Sequence, residues 1–256
     1  MHFSQDDFDV RFDWGEGGLK NLAPGCNVII IVDVLSFSTC VDIALSRGAT
    51  IFPACPGDSN SLTFAKSRQA LIADSDRFAM TGYTLSPSSL LTIETGTRLV
   101  FPSPDGAPLC LQSQKHSLPV TAAPTILCGS LRNARSVARA AQQIGPKIAV
   151  IAAGDATSNA DGSFRPALED QWGAGAIINY LKGLLSPEAQ AAACAFESFS
   201  RAAVHLLRHC ATGRELLEAG FDQDIELAAA INDSDSVPVL VEGAFFQLHA
   251  SLEMAS

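Results

Sequence analysis

The feature that most constrains the fold of this chain is the run Val28-Ile-Ile-Ile-Val32, which ends directly at Asp33. β-Branched side chains favour extended backbone, and an apolar run without polar alternation is typical of a strand that is buried on both faces. Such a strand needs helices above and below it. The run therefore predicts an α/β fold with the strand inside a largely parallel sheet.

The rest of the chain alternates between short apolar runs and Ala- and Leu-rich stretches. Further strands are predicted at 49–53, 70–73, 98–101, 125–128 and 147–151, with a late edge strand at 237–240, because Pro238 cannot donate to a central ladder. Helices are predicted at about 38–47, 131–143 and 168–182, and over most of 187–230 with breaks near Gly213 and Gly220. We therefore predict a three-layer α/β/α fold with a mixed, mainly parallel sheet. The expected organisation is a single domain over 1–256, or two lobes of about 1–115 and 116–256 joined by a Pro-, Ser- and Gly-rich stretch.

The charge balance limits the partners. The chain has 17 Lys and Arg against 27 Asp and Glu, a formal net charge of −10. This excludes general nucleic-acid binding, which needs a basic surface, and it means that an anionic substrate must find local cations or a metal ion. No apolar stretch is long enough to span a membrane, and the first residues do not read as a signal peptide, so we expect a cytoplasmic protein without a membrane partner. The seven cysteines include no Cys-x-x-Cys pair, which predicts reduced thiols; a homo-oligomer is compatible with the sequence.

The first polar cluster at a strand end is Asp33-Val-Leu-Ser-Phe-Ser-Thr39. In open α/β sheets, ligands bind beyond the carboxyl ends of strands. An acidic residue at the strand tip suits a metal ligand or a nucleophile, and the hydroxyl groups of Ser36, Ser38 and Thr39 at a helix start suit an anion. The alternative is that Asp33 or Ser38 only caps the helix.

Three further clusters follow predicted strands or open helices. Ser103-Pro-Asp-Gly106 places Asp105 and Gly106 after a strand, although Asp-Gly is also a common turn pair. Gly129-Ser-Leu-Arg-Asn133 opens a helix and could bind an anion, and Glu169-Asp170 opens another, where acidic residues also complement the helix dipole. Gly173-Ala-Gly175 lies inside a predicted helix and is interpreted as close helix packing rather than a dinucleotide fingerprint.

Taken in order, these clusters resemble the 2-phosphosulfolactate phosphatase (ComB-like) family. The run from Ile31 to Leu45 is similar to the opening motif of that family, and Ser75-Asp-Arg77 lies where the family has Gly-Glu-Arg. The resemblance continues over nearly the whole chain through Ser103-Pro-Asp-Gly106, Gly129-Ser-Leu-Arg-Asn-Ala134, Glu169-Asp170 with Gly173-Ala-Gly175, and Gly213-Arg-Glu-Leu-Leu217 with Asp222-Gln-Asp-Ile225.

The resemblance implies a ComB-like α/β fold and a Mg²⁺-dependent phosphatase of small phosphomonoesters, with 2-phosphosulfolactate, on the route to coenzyme M, as the named substrate. This sequence departs from the family at Ser36-Phe37, where the family commonly has Arg-Ala, and at 103–106, where it has Thr-Asn-Gly-Thr. Losing an arginine removes a bidentate anion contact that serine cannot replace. The reaction class can survive such a loss while the substrate changes; a subgroup without activity is the alternative.

We assign roles on that basis. Mg²⁺ prefers hard oxygen ligands, so Asp33, Glu169 and Asp170 are the predicted metal ligands. The predicted phosphate-binding set combines backbone N–H groups, side chains and one cation: Ser36, Ser38, Thr39, Gly106, Gly129, Ser130, Asn133 and Arg165. Arg77 is the predicted cation for the transition state, with Arg132 in reserve, and Asp105 is the predicted acid for the leaving oxygen.

Two mechanisms and two other functions remain open from the sequence. Either a metal-bound water attacks phosphorus, or Asp33 attacks and forms an acyl phosphate. The first rival function is a catalytically weak relative that binds an anionic metabolite as a sensor or assembly module. The second is a nucleotide-binding α/β module, which adenine nucleotides would stabilise against heat.

Overall fold

The protein is described here by a computed structural model that covers residues 2–79, 82–115, 123–156 and 163–248. Within these ranges, strands form one mixed sheet of nine members, which lies between helices in a three-layer α/β/α arrangement, as predicted. The strands are β1 Val10–Trp14, β2 Val28–Val32, β3 Thr50–Ala54, β4 Leu71–Ile72, β5 Arg98–Pro102, β6 Thr125–Gly129, β7 Ile148–Ala152, β8 Pro238–Val241 and β9 Ala244–Gln247.

The helices lie largely where the sequence predicts them. They are α1 Gly15–Leu22, α2 Phe37–Ser46, α3 Ser61–Arg68, α4 Gly106–Lys115, α5 Ala134–Ile144, α6 Leu168–Ile178, α7 Pro187–Phe199, α8 Ala203–His209, α9 Ala211–Glu218 and α10 Asp222–Ala228. None of the helices in these ranges has the length and apolar character that crossing a membrane requires. The sequence analysis missed β1, α1, α3, α4 and β9.

The strand β2 lies inside the sheet, whose order is β1-β7-β2-β6-β8-β9-β3-β5-β4. Each residue of β2 is buried; Val28, Ile30 and Val32 enter one hydrophobic core, and Ile29 and Ile31 enter the core on the other face. The unbroken apolar run is therefore explained by burial on both faces, as the sequence predicts.

The prediction of an edge strand near Pro238 was wrong. The strand β8 lies in the middle of the sheet, where Val239 pairs antiparallel with Leu127 of β6 and with Phe246 of β9. Pro238 is the first residue of β8, and a strand's first position is the other place where a missing N–H is tolerated. The β8–β9 hairpin thus joins two groups of parallel strands.

Glycines allow the helices of one layer to pack closely. A Cβ at Gly175 of α6 would lie 2.1 Å from the carbonyl oxygen of Ala192 in α7, so Gly175 serves helix packing as predicted. The helix break predicted near Gly213 occurs at Cys210, between α8 and α9, and Gly213 itself lies inside α9. A Cβ there would lie 1.6 Å from the carbonyl oxygen of Leu207, so the glycine permits a close approach to α8.

Strand register brings several loops to one edge of the sheet. Val32 of β2 pairs with Gly129 of β6 and with Ala152 of β7, and Ala152 also pairs with Trp14 of β1. The four strands run parallel, so the loops that follow them start side by side. Strands from before and after residue 115 alternate in this part of the sheet, and residues 116–122 at the lobe boundary considered above lie outside the described ranges.

Candidate active site

Two buried carboxylates meet where β2 and β7 end. Asp33 follows β2 directly, and Asp170 lies in the first turn of α6. Asp170 accepts a hydrogen bond from the N–H of Val34 to Oδ1 at 2.7 Å and one from the N–H of Gly154 to Oδ2 at 2.9 Å. This side chain therefore connects the backbone after both strand ends, and its bond to Val34 spans 136 residues of sequence.

Asp33 is held by the loop that follows β5. The N–H of Gly106 donates to Asp33 Oδ2 at 2.9 Å, the hydroxyl of Ser103 lies 3.5 Å from the same oxygen, and the N–H of Phe37 donates to Oδ1 at 3.4 Å. A Cβ at position 106 would lie 2.5 Å from the Phe37 ring and 2.7 Å from Asp33 Oδ2, so only glycine lets the backbone come this close. The predicted substrate-binding residue Gly106 thus positions Asp33.

The pKa values of both carboxylates are raised. Asp33 is 7% and Asp170 is 3% exposed. Burial, and then the negative charges of Asp105 and Glu169, raise the pKa of Asp33 to about 7. Burial, followed by the charges of Asp33 and Glu169, raises the pKa of Asp170 well above its usual range. Ionising both carboxylates at neutral pH therefore requires a positive charge nearby.

Glu169 is buried next to Asp170 but faces another neighbour. One of its carboxylate oxygens, Oε2, is fully buried and has no hydrogen-bond partner among the described residues. Its charge also contributes, after burial, to raising the pKa of the Cys210 thiol to about 12. An unpaired buried carboxylate oxygen is costly unless a cation or water satisfies it.

Asp105 stands at the open side of the pair. Its Oδ1 accepts a hydrogen bond from the N–H of Ala156 at 3.0 Å, and its side chain is half-buried. Burial raises its pKa, and the nearby charge of Asp155 adds to the effect. A partly exposed carboxyl with a raised pKa is suited to giving a proton to a leaving group.

Arg165 reaches the site from the strand-like segment that pairs with Asp155. Its Nη2 lies 2.9 Å from Asp155 Oδ2 and 3.3 Å from the Thr212 hydroxyl. The backbone N–H groups of Asp155 and Arg165 also bond each other's carbonyl oxygens at 2.8 Å. Asp155 was missed from the sequence, although an acidic residue directly after a strand and its Gly154 turn was a usable signal.

Arg77 is anchored beside Ser36 by a residue that received no role above. Its Nη1 donates to the Ser36 hydroxyl at 3.3 Å and to Asp224 Oδ2 at 3.2 Å, and its guanidinium lies 5.4 Å from the centre of the Phe221 ring. Asp224 is fully buried and also accepts hydrogen bonds from the Ser86 hydroxyl at 2.8 Å and the Ser88 N–H at 2.9 Å. The structure thus brings Arg77 to the loop of Asp33.

The loop after β6 makes structural contacts in place of the predicted phosphate contact. The N–H of Ser130 donates to Asn133 Oδ1 at 2.8 Å, and the Ser130 hydroxyl lies 3.2 Å from the same oxygen. These bonds engage the Ser130 N–H and the Asn133 oxygen within the loop. A Cβ at Gly129 would lie 2.5 Å from Ile177 and 3.0 Å from Ile30, so this glycine serves core packing.

Ser38, Thr39 and Arg132 are likewise occupied within the fold. The N–H and the hydroxyl of Ser38 each bond the Asp33 carbonyl oxygen at 2.7 Å, and the Thr39 hydroxyl bonds the Val34 carbonyl oxygen at 2.8 Å. Arg132 pairs with the fully buried Asp42 at 2.8 Å. The hydroxyl groups of Ser38 and Thr39 thus shape their loop, and Arg132 lies at a separate cavity.

A cavity of about 580 Å³ adjoins the carboxylates. Asp105 lines it and precedes Gly106, which binds Asp33; Ala153 lines it and precedes Gly154, which binds Asp170. Its opposite wall is formed by the end of β1 and the start of α1. Asp105 lines the cavity and its charge raises the pKa of Asp33, so the cavity lies beside the candidate site.

The chain is similar to known proteins of one family. A family model described as 2-phosphosulpholactate phosphatase matches residues 19–243. A Gloeobacter violaceus protein named probable 2-phosphosulfolactate phosphatase is 28% identical over 234 residues, and a Thermotoga maritima protein of the same name is 26% identical over 226 residues. Each alignment covers 86% of this chain and 92% of the relative. The family model spans the carboxylates and arginines described above, and the cavity wall from β1 and the start of α1 precedes its first matched residue.

Proposed function

This chain belongs to the 2-phosphosulpholactate phosphatase family, and from that premise we propose that it is a Mg²⁺-dependent phosphatase of the cytoplasm. Its substrate is a small phosphomonoester, 2-phosphosulfolactate or a related metabolite. The observation that supports this most directly is the pair of buried carboxylates, Asp33 and Asp170, at neighbouring strand ends. Two such groups can both be ionised at neutral pH only beside a cation.

The residues present fit a magnesium ion. Mg²⁺ is a hard cation that takes one or two carboxylates and keeps several waters, so it does not require a full protein cage. Within the described ranges, no group of three or more His, Cys, Asp or Glu side chains could hold a metal ion by itself, so waters would complete the coordination. Asp33 and Asp170 would hold the ion, and the unpaired Oε2 of Glu169 would reach it through water. When bound, the ion neutralises charge on the phosphate and on the carboxylates.

The chain's own groups would perform the remaining work. Arg77 and Arg165 supply the cations for the phosphate oxygens, and their partners Asp224 and Asp155 hold them in place. Phosphoryl transfer depends mainly on such positioning and charge neutralisation. Both Asp33 oxygens accept backbone hydrogen bonds, which lowers their nucleophilicity, so we favour attack by water over attack by Asp33.

The proposed hydrolysis forms one bond to phosphorus and breaks one. A water oxygen forms the new bond to phosphorus, the ester P–O bond breaks, and Asp105 gives its proton to the leaving oxygen while the water's proton passes to solvent. The raised pKa of Asp105 increases the protonated fraction that can do so.

The test is turnover of 2-phosphosulfolactate and p-nitrophenyl phosphate by the purified protein with Mg²⁺ and with EDTA. We expect activity with Mg²⁺ only, and a loss of about 100-fold or more in kcat/KM for Asp33→Asn and for Asp170→Asn. Asp58→Asn, on the surface, is the matched control and should keep full activity. Circular dichroism of each variant checks that it folds.

Three results would contradict the proposal. Full activity in EDTA would remove the magnesium requirement, and an acyl phosphate trapped by hydroxylamine on Asp33 would replace water attack by covalent catalysis. Absence of turnover over a broad panel of phosphomonoesters would support the rival function of an anion-binding module.

A further inference from the structure

The cavity beside the carboxylates is placed where the alcohol part of a substrate would lie. Two of its lining residues, Asp105 and Ala153, are sequence neighbours of the glycines that bind Asp33 and Asp170. Asp105, the proposed acid for the leaving oxygen, lines this space, so an ester whose leaving oxygen meets Asp105 would place its alcohol part here. The volume of about 580 Å³ falls within the usual range for small-molecule pockets, roughly 300–1,000 Å³.

The charged residues described in the cavity wall are all acidic. The described lining residues include Asp13, Glu16 and Asp105, and none of them is Lys, Arg or His. The nearest cation identified above, Arg165, pairs with Asp155. A substituent that carries a sulfonate or carboxylate would meet repulsion here.

Two aromatic rings complete the wall. Trp14 and Phe164 line the cavity and meet edge to face, with ring centres 6.3 Å apart. Phe164 packs over backbone: a Cβ would lie 3.0 Å from its ring at Gly15 and 2.4 Å at Gly154. Aromatic faces attract ammonium groups, and their effect adds to that of nearby carboxylates. The carboxylates and the aromatic rings of this wall thus select for the same kind of substituent.

We propose that this cavity binds the leaving alcohol of the substrate and selects one that carries a cationic amine, the class of amino-alcohol phosphates, over one that carries a sulfonate or carboxylate. The proposal rests on the hydrolase function proposed above. It narrows the related metabolite to a phosphomonoester whose alcohol part is positively charged.

The test compares three esters of similar size and different charge with Mg²⁺ present. They are phosphoethanolamine, propyl phosphate and 2-phosphoglycolate, with 2-phosphosulfolactate as the family reference. We expect kcat/KM for phosphoethanolamine to exceed that for propyl phosphate by about tenfold, and that for 2-phosphoglycolate by more, as opposite and like charges at such distances allow.

The double variant Asp13→Asn and Glu16→Gln tests the cause. It should lower the ratio of kcat/KM for phosphoethanolamine to that for propyl phosphate by about tenfold, because only the charged ester loses an attraction. The asparagine keeps the oxygen that accepts the Trp14 N–H at 2.8 Å, and Glu16 is exposed, so folding should be preserved. Glu218→Gln, at the exposed end of α9, is the control and should leave the ratio unchanged.

The outcomes separate this proposal from the hydrolase function. Faster turnover of 2-phosphoglycolate or 2-phosphosulfolactate than of phosphoethanolamine, or an unchanged ratio in the double variant, overturns the amine preference and leaves the phosphatase intact. If no ester is cleaved, the phosphatase proposal fails, and calorimetric Kd values for the same esters decide the selectivity. Tighter binding of phosphoethanolamine than of 2-phosphoglycolate would then support it, and the reverse order would overturn it.

Discussion

The raised pKa of Asp33 predicts how the stability of the metal-free protein depends on pH. Its pKa is about 7 in the fold against 3.8 for the ordinary group, so the folded state holds a proton that the unfolded state releases between these values. The free energy of unfolding must therefore fall as pH rises from about 4 to about 7, and this contribution is gone above the folded pKa.

The magnitude follows from the shift. A difference of about three units corresponds to about 4 kcal/mol, at about 1.4 kcal/mol per unit. Because Asp170 is buried beside Asp33 and its pKa is also raised, the total slope belongs to the pair. Asp33→Asn removes one titrating group and also lowers the pKa of Asp170, so its slope should be shallower than that of the wild type, by about 1.4 kcal/mol per pH unit for each proton involved.

Urea unfolding in EDTA at several pH values between 5 and 8 measures this slope. We expect the Asp33→Asn protein to lose less stability than the wild type as pH rises, apart from a constant offset of about 1 kcal/mol where its amide faces the Phe37 N–H. Asp58→Asn should follow the wild type. Parallel slopes for the wild type and Asp33→Asn would refute the assignment of the proton to Asp33.

Magnesium should reverse the effect. An ion that binds the ionised pair competes with the proton, so it stabilises the protein more at pH 8 than at pH 5. The stabilisation at pH 8 is about 1.4 kcal/mol when the ion concentration is tenfold above the Kd at that pH. Equal stabilisation at both pH values would show that the ion binds elsewhere.

Two further predictions concern the architecture. Gly175→Ala should destabilise the protein by about 1–3 kcal/mol, because its Cβ would lie 2.1 Å from the Ala192 carbonyl oxygen. Gly17→Ala, with open space around it, should change stability by less than about 1 kcal/mol. Thermal unfolding compares the two variants, and equal losses would contradict the packing argument. Arg132→Met leaves the fully buried Asp42 without its ion-pair partner and should lower the free energy of unfolding in urea by about 3–5 kcal/mol. Arg208→Met removes only exposed ion pairs and should lower it by about 0–1 kcal/mol. Similar losses for the two variants would refute the distinction between buried and exposed pairs.

The sequence was most informative where a pattern has a single structural solution. The apolar run 28–32 could be buried only between two helical layers, and the alternation of runs and helical stretches predicted the α/β class. Reduced cysteines were also predicted; those in the described ranges are free. Acidic residues at strand tips indicated where a site would form, since parallel strands end at a common edge.

Predictions from local sequence failed where a residue's role depends on its position in the folded protein. Pro238 reads as an edge residue, yet β8 lies in the centre of the sheet because the proline occupies the first position of its strand. Ser130 and Asn133 look like an anion loop, but each satisfies the other. Asp224 gains a role only because folding places it against Arg77, 147 residues earlier.

The sequence by itself determined the layered α/β class, the central position of β2 and the acidic character of the strand ends, because these depend on periodicity, composition and neighbouring residues. Only the tertiary structure decided which carboxylates share one buried space, which arginines are already paired and what lines the cavity beside Asp105. Those properties arise from contacts between segments that are far apart in the chain, and burial and charge proximity exist only after the chain has folded.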